Sequence, residues 1–71
     1  MDRAALDRAR SAIVRILDDA HDPLPAREFL GQAVAAGHSV DVVVAAVQQM
    51  LDRDEVRFNA DMHLRLARQL A

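Results

Sequence analysis

The sequence has 71 residues, a formal net charge of −2 and no cysteine. This length predicts one domain spanning 1–71 with a modest core, and it excludes catalytic architectures that need two subdomains. The lack of cysteine excludes disulfides, thiolate metal sites and thiol nucleophiles, and is typical of a reducing compartment. All nine basic residues other than the histidines are arginine, a bias typical of GC-rich bacterial genomes. The negative net charge disfavours nucleic-acid binding, which usually requires a positive excess to neutralise phosphates.

A first helix is predicted over 4–20. Its apolar side chains recur at steps of three and four and so form one stripe along a helix: Leu6, Ala9, Ile13, Ile16, Leu17 and Ala20. Pro23 follows shortly afterwards. Since the residue before a proline avoids helical geometry, we expect the helix to end near Ala20.

A second helix is predicted over 25–36, opened by Pro25, whose missing N–H does no harm in the first helical turn. Its expected buried stripe is Ala26, Phe29, Leu30 and Ala33. Gly37 is expected to terminate it, because glycine enters the left-handed conformation without penalty. Ser39 is a suitable N-cap for a third helix over 39–53.

A helical wheel drawn through 40–52 gathers six apolar residues within roughly a third of the circumference. They are expected to face the core: Val40, Val43, Val44, Val47, Met50 and Leu51. The opposite side then carries Asp41, Val42, Ala45, Gln48, Gln49 and Asp52. This predicts an outward face without a single cation.

Beyond the third helix the pattern changes to a period of two, which predicts a β-hairpin over 55–66. Asn59-Ala60-Asp61 forms the expected turn, since asparagine and aspartate tolerate turn geometry. The face covering the helices is expected to hold Val56, Phe58, Leu64 and Leu66. The solvent face is expected to hold Arg57, His63 and Arg65, and 67–71 forms a short tail.

This order of helix, Pro-bearing joint, helix, tight turn, helix and hairpin resembles the winged helix-turn-helix superfamily. The resemblance rests on residues 24–30, on the turn Ala36-Gly37-His38-Ser39 and on the stretch 53–56. It implies an α+β, mainly α fold, a three-helix bundle with a C-terminal two-stranded wing. Two features depart from the family: Asp54 stands where glycine is common, and the third helix lacks the outward basic or hydroxyl side chains of DNA-binding members.

Four residues on the predicted outward face are candidates for a protein interface: Asp41, Val42, Ala45 and Gln49. Val42 and Ala45 would form a small uncharged apolar spot, and the centres of protein interfaces are depleted of charge. Single exposed apolar residues are also normal on any surface, so both interpretations stay open.

A second set is a candidate for nucleic-acid contact: Gln48, Gln49, Arg53, Arg57 and Arg65. Glutamine can pair with adenine in the major groove, and arginines on a wing can bind phosphates or enter a minor groove. The alternatives are a solvated helix face and strand charges that only discourage edge pairing.

Metal and catalytic sites are not expected. His21, His38 and His63 have no ligand spacing between them, and neither serine lies in a nucleophile motif. The two glycines cannot build a phosphate-binding loop. No apolar run has membrane length and no secretory signal is recognised, so we expect a cytoplasmic, non-enzymatic protein without cofactor or metal.

Two functions follow as hypotheses. The first is a winged-helix module that docks onto a protein partner within a regulatory or DNA-associated assembly, without membrane contact. The alternative is a transcriptional regulator that binds double-stranded DNA through helix three and the arginine-bearing wing. The DNA hypothesis requires a homodimer, because one such domain makes few phosphate contacts; dimerisation would also help a small core.

Overall fold

The fold is given by a computed structural model that describes residues 2–67. They form three helices, α1 (Arg3–Asp19), α2 (Ala26–Ala35) and α3 (Val40–Asp52), and three strands, β1 (Leu24–Pro25), β2 (Val56–Phe58) and β3 (His63–Leu66). The α+β, mainly helical class predicted from the sequence is confirmed. Of the predicted tail 67–71, residues 68–71 lie outside the described part of the chain.

Helix α1 buries the stripe that its sequence predicts. Asp2 caps its start, its carboxylate accepting from the N–H of Ala4 at 3.1 Å, which satisfies one otherwise unpaired donor. Ala9, Ile13 and Leu17 are buried, and Leu6 and Ile16 pack beside them. The helix therefore supplies one wall of the core along its whole length.

The α2–α3 turn follows directly from its residue types. Gly37 has φ +104°, and its N–H donates to Val34 O at 2.9 Å while that of His38 donates to Ala33 O at 3.1 Å. This pair of bonds is the Schellman ending, which favours glycine at the left-handed position. The Ser39 hydroxyl then accepts from the N–H of Val42, as its predicted N-cap role requires.

The sheet has three strands, not the two that the sequence predicts. Its order is β1-β3-β2, antiparallel throughout, and the third strand is the segment Leu24–Pro25, expected instead to open α2. Leu24 pairs with Leu64 and Pro25 with His63. A strand of two residues is too short for its sequence to show the alternation of apolar and polar residues that predicts a strand. Its proline is tolerated because β1 lies at the edge of the sheet.

The predicted orientation of α3 is wrong by roughly 60° on a wheel of about 3.6 residues per turn. The buried residues are Val43, Ala46, Val47 and Met50. Val42, expected outward, is half-buried and packs against the core. Val40 and Val44, expected inward, are 48% and 43% exposed. The cause is α1, the main packing partner of α3, whose residues line clefts together with Val42 and with Met50.

The β2–β3 hairpin covers the helices as predicted except at Phe58, and of its expected solvent face only Arg57 is exposed, whereas His63 and Arg65 are half-buried. Val56, Leu64 and Leu66 are buried, but Phe58 is 37% exposed, because it ends β2, an outer strand of the sheet. The connecting turn ends at Met62, which has φ +63° and is 65% exposed. An apolar side chain therefore stands at the tip of the hairpin.

Candidate protein interface on helix α3

The outward side of α3 is apolar and acidic. Its exposed residues, here called the α3 face, are Val40, Asp41, Val44, Gln48 and Asp52. The sequence of this helix contains no arginine, lysine or histidine. Two exposed valines and two carboxylates therefore occupy the surface where a DNA-reading helix would carry donors and positive charge.

A groove adjoins the α3 face, between α2, α3 and the end of β2. It has a volume of about 260 Å³, and all of its wall residues except Gln48 are apolar. Its wall residues are Ala26, Phe29, Leu30, Val43, Val44, Val47, Gln48, Leu51 and Phe58. Val44 and Phe58 are its most exposed large apolar side chains. The groove, called here the α2/α3 groove, has room for apolar side chains from outside the chain.

The predicted protein-interface residues do not all reach this surface. Asp41 is exposed and lies on the α3 face. Val42, Ala45 and Gln49 are half-buried, which follows from the rotated orientation of α3. The Oε1 atom of Gln49 is buried without a hydrogen bond within the described residues, so this side chain is directed into the protein. The predicted apolar spot of Val42 and Ala45 is replaced by Val40 and Val44.

The predicted nucleic-acid residues do not form one free basic patch, although Arg57 and Arg65 are partners across β2 and β3. Gln48 and Arg53 are exposed, but Gln49 is not available to a base edge. Arg57 donates through Nε to Asp54 Oδ1 at 2.7 Å and through Nη2 to Oδ2. Hydrogen bonds from Arg57, assisted by its charge, hold the pKa of Asp54 below its ordinary value. This cation is thus neutralised by a carboxylate three residues away.

Arg65 is the partner of Arg57 across β2 and β3, and its side chain lies in a cleft at the end of α1. It is half-buried, and it lines a cleft together with Asp18, His21 and Asp22. Two carboxylates, those of Asp18 and Asp22, line the same cleft as this guanidinium. The arginines expected to form one positive wing patch are therefore each placed beside acidic groups.

Asp54 stands where the resemblance to winged-helix proteins leads us to expect glycine, and it adopts a backbone conformation that glycine favours. It has φ +61°, and aspartate is one of the few other residues that enter this region readily. Its N–H donates to Leu51 O at 3.1 Å, and that of Glu55 donates to Met50 O at 2.8 Å, so α3 also ends in a Schellman motif. The joint is as tight as a glycine would make it.

Glu55 ties three elements together at this joint. Its carboxylate accepts from Nη2 of Arg10 on α1 at 2.8 and 3.0 Å, and the two side chains are only 24% and 37% exposed. Its carbonyl accepts from the N–H of Ala67 at 2.9 Å. Partial burial makes such a charge-assisted contact stronger than a fully exposed pair. The β2–β3 hairpin is therefore fixed to the helices at its base.

The sequence interpretation missed Val40, Val44 and Phe58 as surface residues. The available signal was the abundance of apolar residues in α3. There are more of them than a single buried face of a helix can hold. An excess of that kind indicates that some apolar side chains must remain outside. Phe58 carries a similar signal, since a strand that ends beside a turn offers its last residue little cover.

No group of three or more potential ligand residues is placed to hold a metal ion in the part of the chain that the structure describes. Over the same residues, no helix has both the length and the apolar character needed to cross a bilayer. Comparisons with protein-family models, with curated protein sequences and with solved structures find no match to this chain.

Proposed function

We propose that this chain is a non-catalytic winged-helix module that docks onto a protein partner through the α3 face, within a regulatory or DNA-associated assembly. The element order supports the winged-helix assignment, with a short strand between the first two helices and an antiparallel strand pair after the third. The observation that carries the docking function is the cation-free α3 face with exposed Val40 and Val44 beside the apolar groove.

The chemistry of the α3 face favours protein over nucleic acid. Interface centres are depleted of charge and enriched in apolar contact area, and Val44 with Phe58 offers such a centre. A duplex would bring phosphates close to Asp41 and Asp52, which costs free energy. DNA binding remains the second hypothesis because Gln48 and Arg53 are both exposed near the end of α3.

A matched pair of variants tests the docking function. Val44 and Val34 are 43% and 42% exposed, but only Val44 lines the α2/α3 groove. We expect Val44→Asp to abolish capture of protein partners from nuclease-treated native extract, and Val34→Asp to preserve it. Equal capture by both variants would contradict a docking role for the α3 face.

The DNA hypothesis is tested separately by titrating a mixed-sequence duplex library against the protein at low salt. Binding that weakens steeply with salt, with a slope flattened by Arg57→Ala and Arg65→Ala, would support DNA binding. We expect no measurable duplex binding, because the carboxylates beside both arginines offset their charge.

A further inference from the structure

The charges around the α2/α3 groove are unbalanced. Asp41 lies in the first turn of α3 and Asp52 in its last, and both are exposed. Neither carboxylate forms an ion pair or side-chain hydrogen bond with the described residues. On the α2 side, exposed Arg27 and Glu28 offset each other. The α3 face therefore carries two carboxylates and no cation of its own, and in the described chain the exposed Arg53 that follows Asp52 forms no ion pair with it.

Asp52 is unfavourable in its own helix. The last turn of a helix carries the negative end of the helix dipole, where carboxylates are destabilising and cations stabilising. Asp41, in contrast, is in the first turn, which favours a carboxylate. A cation brought by a partner beside Asp52 would relieve this repulsion, whereas an anion would increase it.

These charges disfavour a second copy of this chain as the occupant. Two-fold dimers bring the same surface of both subunits together. Antiparallel contact between two α3 helices would set Asp41 of one copy near Asp52 of the other, and the exposed Arg53 that follows α3 would offset only part of this repulsion. Like-charge juxtaposition of this kind disfavours a partner.

The shape of the groove favours a helix over an extended peptide. The groove runs between two helices and is lined by side chains rather than by free backbone groups. An amphipathic helix binds such grooves through apolar anchors at positions i, i+3, i+4 and i+7. An extended peptide would instead have to pair with β2 as an additional strand. This outer strand has only three residues, so it could form few backbone hydrogen bonds with the peptide.

From this combination we infer that the α2/α3 groove binds an amphipathic helix of another protein, one whose apolar stripe is flanked by arginine or lysine. The apolar anchors enter between Val44, Leu51 and Phe58. The flanking cations lie against Asp41 and Asp52. This inference rests on the proposed docking function and specifies the chemistry of the partner.

A displayed library of random peptides of about 16 residues, roughly four helical turns, tests this inference. The library is selected against the full chain, and sequences that also bind the Val44→Asp variant are removed. We expect the enriched peptides to share apolar residues at helical spacing with arginine or lysine beside them. A synthetic peptide of the enriched sequence should shift amide resonances of α2, α3 and Phe58 in the labelled protein.

The charge contribution is measured with the same synthetic peptide. Asp41→Asn combined with Asp52→Asn should weaken binding by about two- to fivefold per contact, the range of exposed ion pairs, and this difference should shrink at high salt. Asp19→Asn, an exposed carboxylate at the end of α1, is the matched control and should leave affinity unchanged.

The outcomes separate this inference from the function on which it rests. Failure to enrich any peptide that depends on Val44 would contradict both. Enrichment of Val44-dependent peptides with acidic flanks, or with prolines that forbid a helix, would overturn only the helix inference. Dimerisation of the chain that is lost in Val44→Asp would also overturn it, and would assign the groove to a second copy.

Discussion

Arg57 and Arg65 are direct register partners across the β2–β3 pair, so their side chains extend from the same face of the sheet. Like charges directly opposite each other destabilise a sheet. In this protein each arginine has acidic neighbours: Asp54 binds Arg57, while Asp18 and Asp22 line the cleft that contains Arg65. The sheet thereby tolerates two facing guanidinium groups, and its outer face presents little net positive charge.

The first prediction concerns the titration of Asp54. Its pKa is lowered by hydrogen bonds from Arg57 and by the attraction between the two charges. A lowered folded-state pKa contributes stability that is present above the unfolded-state pKa and is lost as pH falls through the folded value. We expect carboxyl NMR to give a midpoint for Asp54 below the ordinary aspartate value, and Arg57→Gln to raise it.

Because the Asp54–Arg57 pair is exposed, the same substitution should change overall stability only slightly at neutral pH. The exposed Arg53→Gln serves as control, since it removes a neighbouring charge without breaking the ion pair. An Asp54 midpoint that does not respond to Arg57→Gln would show that this ion pair is absent in solution.

The second prediction separates the two sides of α3. Val42→Asp should lower the free energy of unfolding by about 2 kcal/mol, because it places a carboxylate against the core. Val44→Asp should change it by about 0.5 kcal/mol or less, as is usual for surface positions. Urea denaturation measures both. The reverse order of effects would indicate that the orientation read from the sequence was correct.

The third prediction compares the two glycines. A Cβ added at either position meets no atom within 4 Å, so backbone conformation alone decides the outcome. Gly31 lies inside α2, and Gly31→Ala should stabilise the protein by about 0.5–1 kcal/mol. Gly37→Ala should destabilise it by about 1 kcal/mol or more, since φ is positive there. Thermal unfolding followed by circular dichroism distinguishes the two signs.

The fourth prediction concerns the tip of the hairpin. Met62 occupies a left-handed conformation, which costs an L-residue about 1–2 kcal/mol. Glycine avoids this cost, but it loses more conformational entropy on folding, and that loss cancels part of the gain in stability. Met62→Gly should therefore raise the free energy of unfolding by about 0.5–1 kcal/mol. Met62→Ala, which removes the apolar side chain but keeps the Cβ, is the control and should show no such gain in chemical denaturation.

How far the sequence predicts this structure depends on how distinctive each local pattern is. The stripe containing Ala9, Ile13 and Leu17 allows one helix orientation only, and Gly37 and Ser39 mark a helix end and start through backbone chemistry that is local. These features are found where the sequence places them.

Helix α3 is different because apolar residues lie on nearly all sides of it. A wheel through 40–52 then admits several orientations of similar hydrophobicity, and the choice among them depends on where α1 packs. That contact is tertiary information. Strand β1 was missed for a related reason, since the extended form of Leu24 is defined by its pairing with Leu64 and not by any pattern of its own.

The contacts of Glu55 hold the surface that a partner would bind in a fixed shape. One residue joins the end of α3 to α1 through Arg10 and to the chain beyond β3 through Ala67, so helix bundle and hairpin cannot reorient independently while these bonds hold. The surface around Val44 and Phe58 is then already in its final shape before any encounter. Association should accordingly proceed in one kinetic phase, with an observed rate that rises linearly with partner concentration and shows no plateau from a slow rearrangement.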